Sequence, residues 1–296
     1  MHEIDRFIEY LAAERGYSPR TMKSYRESLV KFSDYLKQTD QELNWNTIDA
    51  DVVRNFMASE MEHGLLACSV NCELSALRSF YKYLLRMKLV EKNPMRLIHG
   101  PKAHKPLPSF LKESEVTRLF DDVEYPDTFD GLRDRTILLT FYHTGIRLSE
   151  LVGLNVVDVN LSSGELKVTG KRNKQRVVPF GEELRQALKH YIDQRKEQLA
   201  DGVDAGCLFL NNKKERIGKS MVRTIVVHYL SLVTTMKKRS PHVLRHTFAT
   251  EMLNHGADLE AIKELLGHES VATTEVYTHT TFADLKKEYQ LAHPRA

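Results

Sequence analysis

Residues 138–151 read Leu138-Leu139-Thr140-Phe141-Tyr142-His143-Thr144-Gly145-Ile146-Arg147-Leu148-Ser149-Glu150-Leu151. A glycine that ends an apolar segment is typical of a helix C-terminus. Arg147 comes two residues after that glycine and precedes a second short apolar segment. The pattern predicts a junction between two helices, from which the guanidinium of Arg147 projects.

Helical patterns continue on both sides of this junction. In the second half of the chain they predict helices near residues 113–121, 132–143, 182–199, 219–236, 243–255, 259–265 and 273–278. Residues 164–169 and 175–179 differ, because they alternate apolar and polar side chains around a turn with glycine and asparagine. This predicts a β-hairpin. Its loop carries three basic residues, Lys171, Arg172 and Lys174.

The front of the chain predicts a small four-helix bundle. Ser18 and Pro19 match an N-cap followed by proline at the first helical position. Two of its helices are predicted near residues 3–14 and 49–62, and two apolar stripes with helical spacing predict the other two. The stripes are Tyr25, Leu29, Phe32 and Leu36, and Val70, Leu74, Leu77, Tyr81 and Leu84. We assign their aromatic side chains to a core.

Residues 93–108 contain four prolines and a glycine and lack acidic residues, which is typical of a linker. Lys102 and Lys105 lie in it, so it either contacts a polyanion or is a solvated connection. We therefore predict a helical N-terminal domain at 1–92, a basic linker at 93–108 and a larger, mostly helical domain at 109–296. The expected fold class is mainly α, with a short β-hairpin or sheet.

The charge of the chain is unevenly distributed. The 296 residues carry a net charge of +3, and residues 1–100 contain equal numbers of basic and acidic residues. The surplus lies in three clusters: Lys167 to Arg176, Lys213 to Arg223, and Lys237-Lys238-Arg239 leading to Arg245. A single cluster would indicate only a solvated face, but three around one domain favour a nucleic-acid track.

Several classes of protein function are disfavoured because the sequence lacks the motifs that are typical of them. It contains no phosphate-binding GxxxxGK[ST] loop, GxGxxG, HExxH or GxSxG motif and no zinc-binding Cys/His spacing. Its apolar runs are too short for a membrane span, and its acidic N-terminus does not resemble a signal peptide. The three cysteines are too few for a disulfide framework. We expect a cytoplasmic protein with no cofactor and no metal.

The second half concentrates arginine, histidine and tyrosine at abrupt local features. His242 and Arg245 are three residues apart after Pro241, His268 follows Gly267, and Tyr277 ends a polar segment. Each has a simpler explanation: an ion pair of Arg147 with Glu150, a helix cap at His242, or packing of the tyrosine. Together they are the groups that metal-free attack on a phosphodiester needs, because guanidinium groups match phosphate oxygens and histidine can deprotonate a phenol.

These motifs resemble the tyrosine recombinase (integrase) family, most closely its bacterial XerC/XerD branch. Residues 138–151 are similar to the first conserved box, and the segments 242–250, 265–268 and 273–279 to the second. The resemblance covers the whole second domain in the expected order. It implies a SAM-like, core-binding N-terminal bundle and a catalytic domain. The implied catalytic residues are Arg147, Lys171, His242, Arg245, His268 and the nucleophile Tyr277.

Two positions need comment. The glycine that usually follows the hairpin lysine in the family is Arg172 here, so Lys171 and Lys174 both remain candidates for the general acid, with Lys171 favoured because it follows Gly170. His246 matches a position that is usually structural in the family, and a buried core histidine is the simple expectation for it. We leave His246 out of the site.

The resemblance implies site-specific recombination through a 3′-phosphotyrosine and a Holliday junction, as in Xer-type resolution of chromosome or plasmid dimers. The expected partners are double-stranded DNA with a specific site and a homo- or hetero-tetramer, with a second recombinase and a septal DNA translocase as further candidates. The predicted DNA contacts are Lys102, Lys105, Arg172, Lys174, Arg176, Lys219, Arg223, Lys237, Lys238 and Arg239.

Four alternatives stay open. The same chemistry would serve an integrase of a mobile element or a type IB topoisomerase. A non-catalytic DNA-binding protein would explain the basic clusters alone. A metal-dependent hydrolase could use His242 and His246, although no carboxylate lies at helical spacing with them.

Overall fold

The structure, a computed structural model, describes residues 2–39, 44–103, 109–170, 173–199, 205–267 and 282–295. The chain forms two compact units, residues 1–106 and 107–296. As predicted, the described residues are mainly helical with one small sheet. The helices are α1 His2–Ala13, α2 Pro19–Thr39, α3 Ala50–Glu62, α4 Ala67–Arg86, α5 Glu113–Thr117, α6 Phe129–Thr144, α7 Leu148–Gly153, α8 Glu182–Gln198, α9 Lys219–Val233, α10 Pro241–Asn254, α11 Leu259–Leu266 and α12 Phe282–Ala292.

The first unit is built from α1 to α4, and both predicted stripes are confirmed. Pro19 opens α2, and Asp49 caps α3 by accepting hydrogen bonds from the backbone N–H groups of Asp51 and Val52. Each helix buries one apolar face, so the polar faces stay in water. The buried faces meet in one core rich in aromatic rings, among them Phe7, Phe32, Phe56, Phe80 and Tyr81.

The chain beyond α4 stays packed on this unit. Pro94–Leu97 forms a 3-10 turn, and Met95 and Ile98 are buried in the same core. Asn71 on α4 donates a hydrogen bond to the carbonyl of Pro101. The first part of the proline-rich segment therefore follows the surface of the first unit.

The second unit contains an antiparallel sheet in the order β1 Val159–Asn160, β2 Glu165–Thr169 and β3 Gln175–Pro179. The predicted hairpin of β2 and β3 is confirmed, with Leu166 opposite Val178 and Val168 opposite Arg176. The backbone N–H of Gly170 donates to the carbonyl of Lys174 at 2.7 Å and closes the turn. Lys171 and Arg172 lie outside the described residues.

Helix α6 lies at the centre of the second unit. It packs against both α8 and α10, and residues 136–144 are all buried. A helix enclosed in this way is apolar around most of its circumference. Thr136, Thr140 and Thr144 fit because each hydroxyl donates to the carbonyl four residues earlier.

Several predicted boundaries in this unit were wrong by a few residues. Helix α6 begins at Phe129 rather than near 132, because the hydroxyl of Thr128 caps it through the N–H of Gly131. The helix predicted from 113 continues after α5 as a π turn at Arg118–Asp122. Helix α7 is the second helix of the predicted junction, whereas α12 and strand β1 had no counterpart in the prediction. The predicted helix at 273–278 lies outside the described residues.

In the part of the chain that the structure describes, no helix is both long enough and apolar enough to cross a membrane. All three cysteines are free; Cys68 and Cys72 are exposed on α4, and Cys207 is buried.

Candidate active site

Arg147 stands at the predicted junction between α6 and α7. Gly145 ends α6 with a left-handed backbone, φ +58°, which favours glycine. A Cβ at this position would also lie 2.6 Å from the ring of Phe248 and 2.8 Å from Leu266. Glycine is therefore required here for both conformation and space, and it sets the direction in which the chain reaches Arg147.

Arg245 approaches the same junction from α10. Pro241 begins this helix, and Arg245 one turn later is only 6% exposed. Its Nη1 donates to the carbonyl of Gly145 at 2.6 Å, and its Nη2 donates to the carbonyl of Leu266 at 2.7 Å. The residue therefore ties the end of α6 to the end of α11.

Three guanidinium groups meet the C-terminal end of α11. Arg176 donates to the carbonyl of Leu265 at 2.8 Å, Arg245 to that of Leu266 at 2.7 Å, and Arg147 to that of Gly267 at 2.8 Å. The last carbonyls of a helix have no partner within the helix, and cations are favourable there. The C-terminal end of α11 thus lies against three arginine side chains, and His268 follows Gly267 in the sequence.

Glu150 on α7 connects two of these arginines. Its carboxylate accepts Nη1 and Nη2 of Arg176 at 3.0 and 2.9 Å, and Nη1 and the backbone N–H of Arg147 at 2.9 and 2.8 Å. Burial would raise the pKa of Glu150, but the hydrogen bonds from Arg176 and Arg147 outweigh burial and lower it. Glu150 is therefore an anion, and the expected ion pair with Arg147 exists.

The site retains an excess of positive charge. Burial, with repulsion from Arg147 and Arg176, lowers the pKa of Arg245 to about 10, and Glu150 opposes this shift. Arg147, Arg176 and Arg245 thus carry three positive charges against the one negative charge of Glu150. Such a surplus in a partly buried site favours an anion with several oxygen atoms, such as a phosphodiester.

His242 is exposed at the start of α10, one turn before Arg245. Partial burial lowers its pKa, and the positive charges of Arg245, Lys238, Arg147 and Arg223 lower it further. The imidazole is consequently neutral at pH 7, the form that can accept a proton. It therefore has the protonation state of a general base.

His246 contradicts the expectation of a core histidine, because it is exposed on the same face of α10 as His242. Partial burial and the nearby His242, Arg245 and Lys238 lower its pKa. Among the described residues no group of three His, Cys, Asp or Glu side chains could hold a metal ion. In that part of the chain the two histidines have no third ligand.

The remaining predicted site residues divide into three sets. Lys105, Lys171, Arg172, His268 and Tyr277 lie outside the described residues. Lys102, Lys174, Lys219, Arg223, Lys237 and Lys238 are exposed. Arg176 and Arg239 are partly buried and donate to protein groups; Arg239 contacts the carbonyl of Thr234 at 3.1 Å.

Sequence reasoning missed two features of this site. Glu150 appeared only as an ion-pair partner of Arg147, and Arg176 appeared only as a predicted DNA contact in the basic run 167–176. The residues around Arg176 in the sequence did not indicate this contact, because its partner Glu150 lies on α7, 26 positions earlier in the chain. The arrangement as a whole can bind a phosphate through arginine and accept a proton at His242.

Comparisons with known proteins agree with this chemistry. The Phage integrase family matches residues 109–284, and the family described as Phage integrase, N-terminal SAM-like domain matches residues 4–88. A curated relative, tyrosine recombinase XerC of Pelotomaculum thermopropionicum, is 42% identical over 303 residues, covering 99% of this chain and 98% of the relative.

Two solved structures share the fold. One is the XerH site-specific recombinase bound to difH substrate in a pre-cleavage complex, with a TM-score of 0.70, 22% identity, and coverage of 96% of this chain and 83% of the other. The second is a lambda integrase tetramer bound to a Holliday junction, with a TM-score of 0.68, 17% identity, and coverage of 93% and 79%. At these identities the likeness concerns the fold.

Proposed function

Because the chain belongs to the phage integrase family of tyrosine recombinases, which break and rejoin DNA, we propose that it performs Xer-type resolution of chromosome or plasmid dimers. One observation carries the choice within the family. The similarity to a XerC protein extends over nearly the full length of both chains, including the N-terminal bundle. The proposed location is the cytoplasm.

In the proposed reaction, the hydroxyl oxygen of Tyr277 attacks the scissile phosphorus, and the 5′ oxygen of the next nucleotide leaves. The products are a 3′-phosphotyrosyl bond and a free 5′-hydroxyl, which then attacks the phosphotyrosine of a partner strand. Each step replaces one phosphate ester by another, so rejoining requires no nucleotide cofactor. His242 accepts the proton of Tyr277, and Lys171, or Lys174 in its place, donates one to the leaving oxygen.

Arg147 and Arg245 clamp the phosphate in this proposal, with support from His268. The charge surplus of the three arginines at the end of α11 is the feature that supports their role. Negative charge accumulates on the non-bridging oxygens in the transition state, and fixed guanidinium groups stabilise it without rearranging. Arg147 is already held by the carbonyl of Gly267 and by Glu150, and Arg245 is held by the carbonyls of Gly145 and Leu266, so little orientational freedom remains to be lost on binding.

The proposed substrate is duplex DNA with a specific recombination site, contacted by a core-binding domain at 1–92 and a catalytic domain at 109–296. The exposed cations at Lys102, Lys174, Lys219, Arg223, Lys237 and Lys238 suit the backbone phosphates. The lambda integrase tetramer on a Holliday junction supports a tetramer of the same or of two related recombinases; a septal translocase is a further candidate partner.

The first test of this proposal concerns the nucleophile. Tyr277→Phe removes only the hydroxyl oxygen, so we expect normal DNA binding and no covalent adduct on a nicked duplex. Denaturing gel electrophoresis of the protein–DNA product measures the adduct. An adduct at the wild-type yield would refute the role of Tyr277.

The second test separates dimer resolution from integration of a mobile element. Wild-type protein is incubated with fragmented genomic DNA from its source organism, and the covalently attached ends are isolated and sequenced. We expect the ends to map to a single chromosomal locus without flanking cargo genes. Ends that map to the borders of an integrated element would favour an integrase instead, and ends scattered without a common site would favour a topoisomerase.

A further inference from the structure

Arg176 belongs to the basic run 167–176, yet its guanidinium is directed into the protein. Its side chain is 16% exposed. Nη1 and Nη2 form two parallel hydrogen bonds with Glu150, and Nε donates to the carbonyl of Leu265 at 2.8 Å. These bonds use three of the five N–H donors of the guanidinium and hold it against protein groups.

The carboxylate that Arg176 holds also holds Arg147. Glu150 is only 2% exposed, and it accepts both the backbone N–H and Nη1 of Arg147. A buried carboxylate shared by two guanidinium groups fixes the angle between them, because the bidentate pair leaves it one orientation. Arg147 has a third fixed contact at the carbonyl of Gly267.

The pair of Arg176 and Glu150 also lies against two glycines that precede candidate catalytic residues. Gly267 comes before His268, and a Cβ on it would lie 3.1 Å from Nη1 of Arg176. Gly170 comes before Lys171, and a Cβ on it would lie 3.3 Å from Oε1 of Glu150. The pair is therefore in contact with three separate chain segments that lead to the proposed site.

We infer that Arg176 is a positioning residue for DNA cleavage, which acts through Glu150 and the end of α11 to hold Arg147 in its working orientation. The inference rests on the proposed catalytic role of Arg147. Displacement of a catalytic group by about 1 Å can slow a reaction about a hundredfold, so a positioning residue has a large effect on rate. It has little effect on binding, because it does not touch the DNA.

Two substitutions at Arg176 separate positioning from phosphate contact. Arg176→Lys keeps the positive charge but cannot make the two parallel bonds to Glu150 together with the bond to Leu265. We expect single-turnover cleavage of a nicked duplex, carrying the site mapped above, to slow about ten- to a hundredfold. Arg176→Gln removes the charge as well. Its dissociation constant for the duplex and the dependence of that constant on salt concentration are expected to change no more than in Lys189→Gln, which removes an exposed cation on α8.

A double-substitution cycle tests the route through Glu150. If Arg176 acts through this carboxylate, Arg176→Lys combined with Glu150→Gln cleaves no more slowly than the slower single variant. Circular dichroism and thermal unfolding establish that each variant is folded. Hydrogen exchange at residues 259–267 is expected to be faster in Arg176→Lys than in the wild type.

Four results would overturn the inference. The first is cleavage by Arg176→Lys at the wild-type rate. The second is a fall of about one in the slope of log affinity against log salt for Arg176→Gln beyond that of Lys189→Gln, because it marks a lost phosphate contact. The third and fourth are rate defects that multiply when Arg176→Lys and Glu150→Gln are combined, and loss of folding in both of these single variants. The Tyr277→Phe assay runs in parallel. An adduct at the wild-type yield in Tyr277→Phe would refute the proposed nucleophile. The comparison of the Arg176 variants with the wild type does not depend on that result.

Discussion

The two units of the chain bury different kinds of side chain. Among the described residues, the first unit buries aromatic and aliphatic side chains and a single charged one, Glu60. The second unit buries seven charged or ionisable residues: Arg133, His143, Glu150, Arg195, Arg245, Glu251 and His293. Polar groups inside a protein cost free energy unless they are paired. Two of the seven, Glu150 and Arg245, belong to the proposed site, and both are hydrogen-bonded there.

The buried and partly buried charged groups of the two units also differ in how they are paired. In the first unit Lys31 contacts Glu60 and, at 3.1 Å, Glu73, which joins three helices. In the second unit the arginines of the proposed site contact carbonyls at the end of one helix and carry a surplus of positive charge. The first arrangement pairs one lysine with two carboxylates, and the second is suited to binding an anion.

The largest expected difference between the units concerns cleavage. Arg245→Lys loses a bidentate donor next to the proposed phosphate, so we expect single-turnover cleavage to slow about a hundred- to a thousandfold with little change in DNA affinity. Lys31→Met in the first unit is expected to change cleavage less than about threefold and to lower the free energy of unfolding by about 1–2 kcal/mol. Similar cleavage rates for the two variants would remove the functional distinction between the two polar interiors.

A smaller difference is expected for two glycines with the same backbone angle. Gly16 has φ +57° and nothing within 4 Å of a Cβ, whereas Gly145 has φ +58° and would place its Cβ 2.6 Å from Phe248. Gly16→Ala is expected to lower the free energy of unfolding by about 1 kcal/mol through backbone strain. Gly145→Ala adds overpacking and is expected to cost about 2–3 kcal/mol. If denaturant titrations gave the same loss of unfolding free energy for Gly16→Ala and Gly145→Ala, the packing at the junction of α6 and α7 would be loose.

A third difference concerns the response to acid. His143 and His293 stack at 4.7 Å in the second unit, and burial lowers the pKa of both. The unfolded chain binds protons at these histidines near pH 6.5 and the folded chain does not, so stability is complete above that pH and falls as the pH decreases below it. The histidines of the first unit that the structure describes, His2, His63 and His99, are exposed.

The acid response is measured by hydrogen exchange of α6 and α4 between pH 7 and pH 5. We expect the opening free energy of α6 to fall by about 1 kcal/mol per pH unit for each buried imidazole, and that of α4 to stay nearly constant. A His143→Gln and His293→Gln variant serves as the control, in which the pH dependence of α6 should flatten. An equal response of α4 and α6 would contradict the assignment.

The same contrast explains which elements were predictable. Helices α2, α3 and α4 each bury one face, so their apolar periodicity is visible in the sequence. The start of α2 at Pro19 and the bounds of α3 were predicted closely. Helix α6 is buried almost all round and has little amphipathic periodicity, so its start at Phe129 depended on the cap at Thr128. Helix α7 is only six residues long, too short for a periodic signal.

The sequence alone determined the fold class, the hairpin and the family, because periodicity, glycine positions and motif order are local properties of the chain. It also identified Arg147, His242 and Arg245 as candidates. Only the tertiary structure decided that Arg176 faces Glu150 and that three arginines meet the last carbonyls of α11, because these contacts join residues up to 120 positions apart. It also decided that His246 is exposed, since burial depends on which elements pack above a helix face and a single helix cannot encode that.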